Sequence, residues 1–167
     1  MSTAQVEILL VDDSKEDVDL TLRALRAENL ANNIFVARDG EEAMDFLFCS
    51  GSHAGRSFEH PPKLVLLDLK LPKIDGLQLL KRIKNDERTK NICVVMMTSS
   101  REERDLAIGY SLGVNSYLQK PVDFTEFRQM VKSAVLYWLA INRPPLNSGG
   151  ELLGTDAAHH TLTGHTK

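Results

Sequence analysis

A chain of 167 residues is long enough for one domain with a full core and cramped for two. With 43% hydrophobic and 26% charged residues it has the mix of a soluble globular protein, and a net charge of −3 with scattered Lys and Arg argues against a nucleic-acid binder. The longest apolar run, AVLYWLAI at 134–141, is too short to cross a bilayer, and acidic residues interrupt the first apolar stretch, unlike a signal peptide. Cys49 and Cys93 form no CxxC pair and read as buried free thiols of a reducing, cytoplasmic compartment.

The first element is a strand, EILLV at 7–11, ending at Asp12-Asp13-Ser14. Val18, Leu22 and Leu25 then repeat at helical spacing. Ser14 followed by Asp17 resembles a capping box with Asp in the place of Glu, so this helix should start near Lys15. NIFVAR at 33–38 predicts a second strand, and GEEAMDFLF a helix with Ala43, Met44 and Leu47 on one face. KLVLLD predicts the third strand, and LQLLKRIK at 77–84 an amphipathic helix. Asp75-Gly76 before it reads as a turn. NICVVMMT at 91–98 is the fourth strand and REERDLAIGYSL at 101–112 the fourth helix. SYLQ at 116–119 is a short fifth strand, and a long helix covers 123–141.

Five strands alternating with five helices imply a parallel sheet with right-handed crossovers and helices on both faces. The runs 7–11, 64–67 and 92–97 lack polar alternation, as strands covered on both sides should. Sites in open sheets of this kind form at the carboxyl ends of the strands. Asp12, Asp13, Asp68, Thr98 and Lys120 all fall just past such ends, so the alternation gathers them on one edge.

Three carboxylates in one crevice repel each other unless a cation sits between them. A set of oxygen ligands suits a hard ion such as Mg²⁺, which shares its sphere readily with phosphate. With the Lys120 ammonium and the Thr98 hydroxyl beside it, Asp68 is placed as a nucleophile that would form an aspartyl phosphate. Each group also has a plain structural reading. Asp12-Asp13 could favour the positive end of the following helix, Thr98 could cap a helix, and Lys120-Pro121 could be loop. Those readings do not explain why the four strand ends carry these groups together.

LLVDDS, VLLDLKLPKIDG, VVMMTSS and SYLQKP, in this order and spacing, closely resemble the receiver domain of two-component response regulators, over residues 6 to about 141. The resemblance implies a flavodoxin-like α/β fold, a doubly wound (βα)5 parallel sheet of strand order 2-1-3-4-5. It implies Asp68 as phosphoacceptor, Asp13 and Asp68 as direct Mg²⁺ ligands, Asp12 acting through water, and the backbone carbonyl of Lys70 as a further ligand. Lys120 would contact the phosphoryl group, and the Lys120-Pro121 bond would be cis. Thr98 would move towards the phosphoryl group and Tyr117 turn into the space it leaves, biasing the face of the fourth helix, fifth strand and fifth helix. Ser100 and Lys70 would tune the lifetime of the phosphoryl group.

The last helix carries a stripe of Phe127, Val131, Ala134, Val135 and Trp138 that is enough to pack on the sheet. Met130, Leu136, Tyr137, Leu139 and Ile141 leave its second half apolar nearly all round, which predicts a homodimer through this helix. Residues 1–141 would form the receiver domain and 142–167 a flexible tail, with His159, His160 and His165 solvated. The long loop SGSHAGRSFEHPP, in which His53 and His60 should be exposed, resembles the branch that partners bacterial phytochromes. A phytochrome-type sensor histidine kinase is the expected partner, with no nucleic acid or membrane. Two alternatives are a phosphorylation-independent scaffold of this fold and a phosphatase of the haloacid dehalogenase type. The phosphatase would need a second Asp two residues after Asp68, where Lys70 stands.

Overall fold

The computed structural model describes residues 5–30, 33–99 and 102–145. Five strands, β1 (Ile8–Val11), β2 (Ile34–Ala37), β3 (Leu64–Leu67), β4 (Cys93–Thr98) and β5 (Ser116–Gln119), form one parallel sheet in the order β2-β1-β3-β4-β5. The helices between and after them are α1 (Lys15–Ala27), α2 (Gly40–Leu47), α3 (Gly76–Asn85), α4 (Glu103–Ser111) and α5 (Phe124–Leu136). This is the flavodoxin-like order expected from the sequence.

Side chains alternate across the sheet, and the two faces bury two clusters. Leu9, Val11, Val65, Leu67, Val94 and Met96 pack on Ala43, Phe46 and Leu47 of α2 and on Leu79, Leu80 and Ile83 of α3. Ile8, Leu10, Leu64, Leu66, Val95 and Met97 pack on Val18, Ala24 and Leu25 of α1 and on Phe127, Val131 and Val135 of α5. The central strands β1, β3 and β4 are buried at every position, which accounts for their unbroken apolar runs.

The starts of α1, α2, α3 and α5 follow side-chain caps. Asp39, Asp75 and Asp123 each accept the backbone N–H three residues on, and Asp75 with Gln78 completes a reciprocal capping box. At α1 the expected box is only half made. Ser14 Oγ accepts the Asp17 N–H at 3.3 Å, but the Ser14 N–H goes to Asp12 Oδ1 at 2.9 Å, not to Asp17. The Asp17 carboxylate is engaged elsewhere, as described below.

Four further expectations need correction. The last helix is α-helical only to Leu136, and Tyr137–Ile141 form a wider π-helical turn closed by the Asn142 N–H on the Tyr137 carbonyl at 2.6 Å. That turn carries Trp138, whose indole N–H donates to Ser116 Oγ at 3.1 Å. Cys93 is buried, but Cys49 is only half-buried, in a left-handed backbone conformation (φ +53°) past the end of α2. His60 is exposed as expected, whereas His53 packs edge-on against Phe35 and Phe46, with ring centroids 5.0 and 5.2 Å away. Arg56 lies 3.5 Å over the Phe46 ring, so the long loop is folded onto the sheet edge and draws His53 in. The Lys120–Pro121 bond is trans, the isomer that X–Pro bonds ordinarily favour.

Candidate functional site at the carboxyl edge of the sheet

Ladder hydrogen bonds carry on past the strands and set the site residues side by side. The Asp12 N–H donates to the Ala37 carbonyl at 3.1 Å, the Asp68 N–H to the Val11 carbonyl at 2.9 Å, and the Lys120 N–H to the Thr98 carbonyl at 2.8 Å. Asp12 and Asp68 therefore leave the adjacent strands β1 and β3, Lys120 leaves β5 on the far side of β4, and Thr98 is buried at the end of the intervening β4.

Their side chains meet. Lys120 Nζ lies 2.7 Å from Asp12 Oδ2, 2.9 Å from Asp17 Oδ2 and 3.4 Å from Asp68 Oδ2, with only 7% of the Lys120 side chain exposed. Asp12, Asp13 and Asp68 each offer a carboxylate oxygen within 4.8 Å of the others. An all-carboxylate set of this size fits a hard divalent cation. Both Asp12 oxygens are already occupied, by Ser14 and Lys120, whereas Asp13 is exposed at the mouth.

The charges in this cluster are unevenly shared. Burial opposes the Lys120 charge, but its hydrogen bonds to Asp12 and Asp17 outweigh this and hold its pKa above the ordinary value. Burial pushes the Asp68 carboxyl up to about 6; Lys120 pulls the other way, Asp12 adds to the rise, and the Lys70 backbone N–H bonds the carboxylate. Asp68 is thus the member of the cluster with the weakest claim on the ammonium. Burial also raises the Cys93 thiol to about 12, against a smaller pull from Lys84, which leaves it inert.

The segment after Asp68 is seated by close backbone approach. The Gly76 N–H donates to the Leu69 carbonyl at 2.8 Å, and a β-carbon on Gly76 would strike the Asp68 carbonyl. Lys73, at φ +67°, pairs with Asp39 and Glu41 at 3.3 Å each and ties the segment to the start of α2. Tyr117 packs in the first-face cluster, where a β-carbon on Gly109 of α4 would lie 3.4 Å from its Cδ2. Of the residues expected at the site, Asp12, Asp13, Asp68 and Lys120 converge, Thr98 adjoins them through its backbone, and Tyr117 belongs to the packing of β5 on α4. Ser100 and the tail histidines lie outside the described residues.

Asp17 was not foreseen. Its position as a possible cap residue hid the fact that the first turn of α1 sits directly over the strand edge. The signal was present in the spacing: Asp17 immediately precedes the buried Val18 and stands one turn before the buried Thr21, whose hydroxyl donates to its carbonyl at 2.8 Å.

The chain resembles several known proteins. It is 42% identical over 138 residues to the probable methanogenesis regulatory protein FilR2 of Methanothrix harundinacea, covering 83% of this chain and 86% of that one. It is 39% identical over 132 residues to the response regulator Rcp1 of Synechocystis, covering 79% and 88%. The Mn²⁺-bound structure of Rcp1 matches with a TM-score of 0.77, at 37% identity over 86% of this chain and 100% of that one. The phosphorylated cyanobacterial phytochrome response regulator RcpA matches with a TM-score of 0.78, at 38% identity over the same shares. Residues 8–132 match the response regulator receiver domain. With that match over most of its length, a 2-1-3-4-5 sheet and the carboxylates and lysine at its carboxyl edge, the chain belongs to the response regulator receiver family.

Proposed function

We propose that this protein accepts a phosphoryl group on Asp68 from a histidine kinase and passes the signal on through a change in its interaction surface. The observation that carries the reading is the Asp68 carboxylate at the head of β3, flanked by Asp12, Asp13 and the Lys120 ammonium. Asp13 and Asp68 would hold Mg²⁺ directly, Asp12 through water, with the Lys70 carbonyl completing the protein's share. The occupied oxygens of Asp12 favour that indirect part. Bound Mg²⁺ would neutralise carboxylate charge and the charge developing on the phosphoryl oxygens. Lys120 supplies the second positive charge, and Thr98 a hydroxyl for a phosphoryl oxygen. As Thr98 moves, Tyr117 turns in its packing against α4 and shifts the α4–β5–α5 face. The protein is a signalling phosphoacceptor that assists its own phosphorylation and dephosphorylation, and not an enzyme acting on other substrates.

The kinase we infer is a phytochrome-type light sensor, because RcpA is a phytochrome response regulator and the long loop, β5 and last helix resemble that branch. No helix among the described residues is long and apolar enough to cross a membrane. The test is intact-protein mass after incubation with Mg²⁺ and acetyl phosphate. One added phosphoryl group that requires both Mg²⁺ and Asp68 is the expected result. No adduct under any condition would leave a scaffold of this fold in its place.

Assembly is a second part of the reading. Leu136, Tyr137 and Ile141 stay exposed on the last turns, at 39%, 47% and 61%, and such large apolar residues favour a homodimer through α5 and the following turn. Light scattering should give twice the chain mass for the parent and the single mass for Tyr137→Glu. A parent that is monomeric with and without phosphorylation would remove the dimer.

A further inference from the structure

Three carboxylates hold the Lys120 ammonium, and the phosphoryl-transfer reading uses only two of them. The third, Asp17, belongs to a helix and not to a strand end. An ammonium has three N–H donors on a flexible stem. The contacts to Asp12 and Asp17, at 2.7 and 2.9 Å, are of full hydrogen-bond length, while that to Asp68, at 3.4 Å, is longer than usual. Two donors are thus committed, and the third faces Asp68 loosely.

Resting on the phosphoacceptor reading, we propose that Asp17 is a positioning residue of the phosphoryl-transfer site, clamping the Lys120 ammonium so that its third N–H faces Asp68. Asp12 alone would fix one N–H and leave the ammonium free to swing. A second anchor on a different element removes that freedom. Asp17 is suited to this because the first turn of α1 fixes it: its N–H is bonded to Ser14 Oγ and its carbonyl accepts the Thr21 hydroxyl. It also lies outside the set of carboxylates that can share a cation, Asp12, Asp13 and Asp68. A cation bound by those three would leave the Asp17 carboxylate to Lys120.

In the transfer itself, Asp68 Oδ forms a bond to phosphorus as the bond from phosphorus to the acetyl oxygen breaks, and acetate leaves with the electron pair. Negative charge on the phosphoryl oxygens grows beside Asp68, where the loosely held N–H of Lys120 waits. Asp17 acts only through Lys120.

The test compares the full chain with Asp17→Asn, and with Asp19→Asn as a control that removes an equal charge from the exposed side of α1. In ¹⁵N-labelled protein, the Lys120 ammonium resonance should move in Asp17→Asn and stay in place in Asp19→Asn. With Mg²⁺ and acetyl phosphate, the maximal phosphorylation rate of Asp17→Asn should fall about tenfold while half-saturation by Mg²⁺ changes by less than about twofold. A parent-like or faster rate, or a loss traced wholly to weaker Mg²⁺ binding, would overturn the proposal. A parent that takes up no phosphoryl group overturns the phosphoacceptor reading itself, and this inference with it.

Discussion

Asp68→Asn should take up no phosphoryl group and yet unfold at a higher temperature than the parent chain above pH 6. The first half follows from the loss of the nucleophilic oxygen, since an amide cannot form the acyl phosphate. The second follows from what the site costs the fold. Burial and the neighbouring Asp12 raise the folded-state pKa of Asp68 from 3.8 to about 6, even with Lys120 opposing. A carboxyl whose folded pKa is raised contributes stability that is fully present below its unfolded pKa and is lost as pH climbs through the folded one. Above pH 6 the folded chain therefore holds an unfavourable charge that Asn does not bring. A shift of this size corresponds to about 3 kcal/mol, or about 6–12 °C in Tm for a domain of this length.

The gain should be full at pH 7.5, shrink between pH 6 and pH 4, and vanish below that. Calorimetry of both chains in chelator, across this range, reads it directly. Equal melting temperatures at pH 7.5 would mean that Lys120 compensates Asp68 fully, against its longer contact of 3.4 Å. Added Mg²⁺ should then raise the melting temperature of the parent more than that of Asp68→Asn, because the variant lacks one of the three converging carboxylates.

Gly76→Ala should be among the most destabilising single-methyl changes in the chain. A β-carbon there would collide with the Asp68 carbonyl and come within 2.8 and 2.9 Å of the Leu69 Cα and carbonyl oxygen. All three are backbone atoms, so no rotamer change relieves the clash, and the segment from Asp68 to Gly76 must move as a unit. We expect a loss of about 3 kcal/mol, read as a lower urea midpoint with unchanged slope. Displacing the Asp68 backbone also spreads the converging carboxylates, so Mg²⁺ affinity should fall with stability. Gly55→Ala is the control, because a β-carbon there meets nothing within 4 Å, and it should change stability by less than about 0.5 kcal/mol. A Gly76→Ala chain as stable as the parent would show that the segment can shift without strain.

Local chemistry in the sequence reached far in this protein. The buried runs of β1, β3 and β4 announce a sheet covered on both sides, because a strand with helices on each face has no polar position to show. Alternation with helices then places every strand's carboxyl end on one edge, so the sequence alone gathers Asp12, Asp13, Asp68, Thr98 and Lys120. Capping by Asp75 and Gln78 was readable as a turn before a helix for the same reason: it involves neighbours only.

The rest needed the tertiary structure, because it depends on which elements lie over which. Asp17 looks like a cap residue until α1 is laid on the sheet and its first turn meets Lys120, 103 residues away. His53 looks exposed until the long loop folds back on Phe35 and Phe46. Gly76 looks like a turn residue until the Asp68 carbonyl is found where its β-carbon would stand. Residue types and their spacing determined the fold and the list of reactive groups. The lengths of the Lys120 contacts, and hence how Asp12, Asp17 and Asp68 divide one positive charge, were decided only when three strand ends and a helix came together.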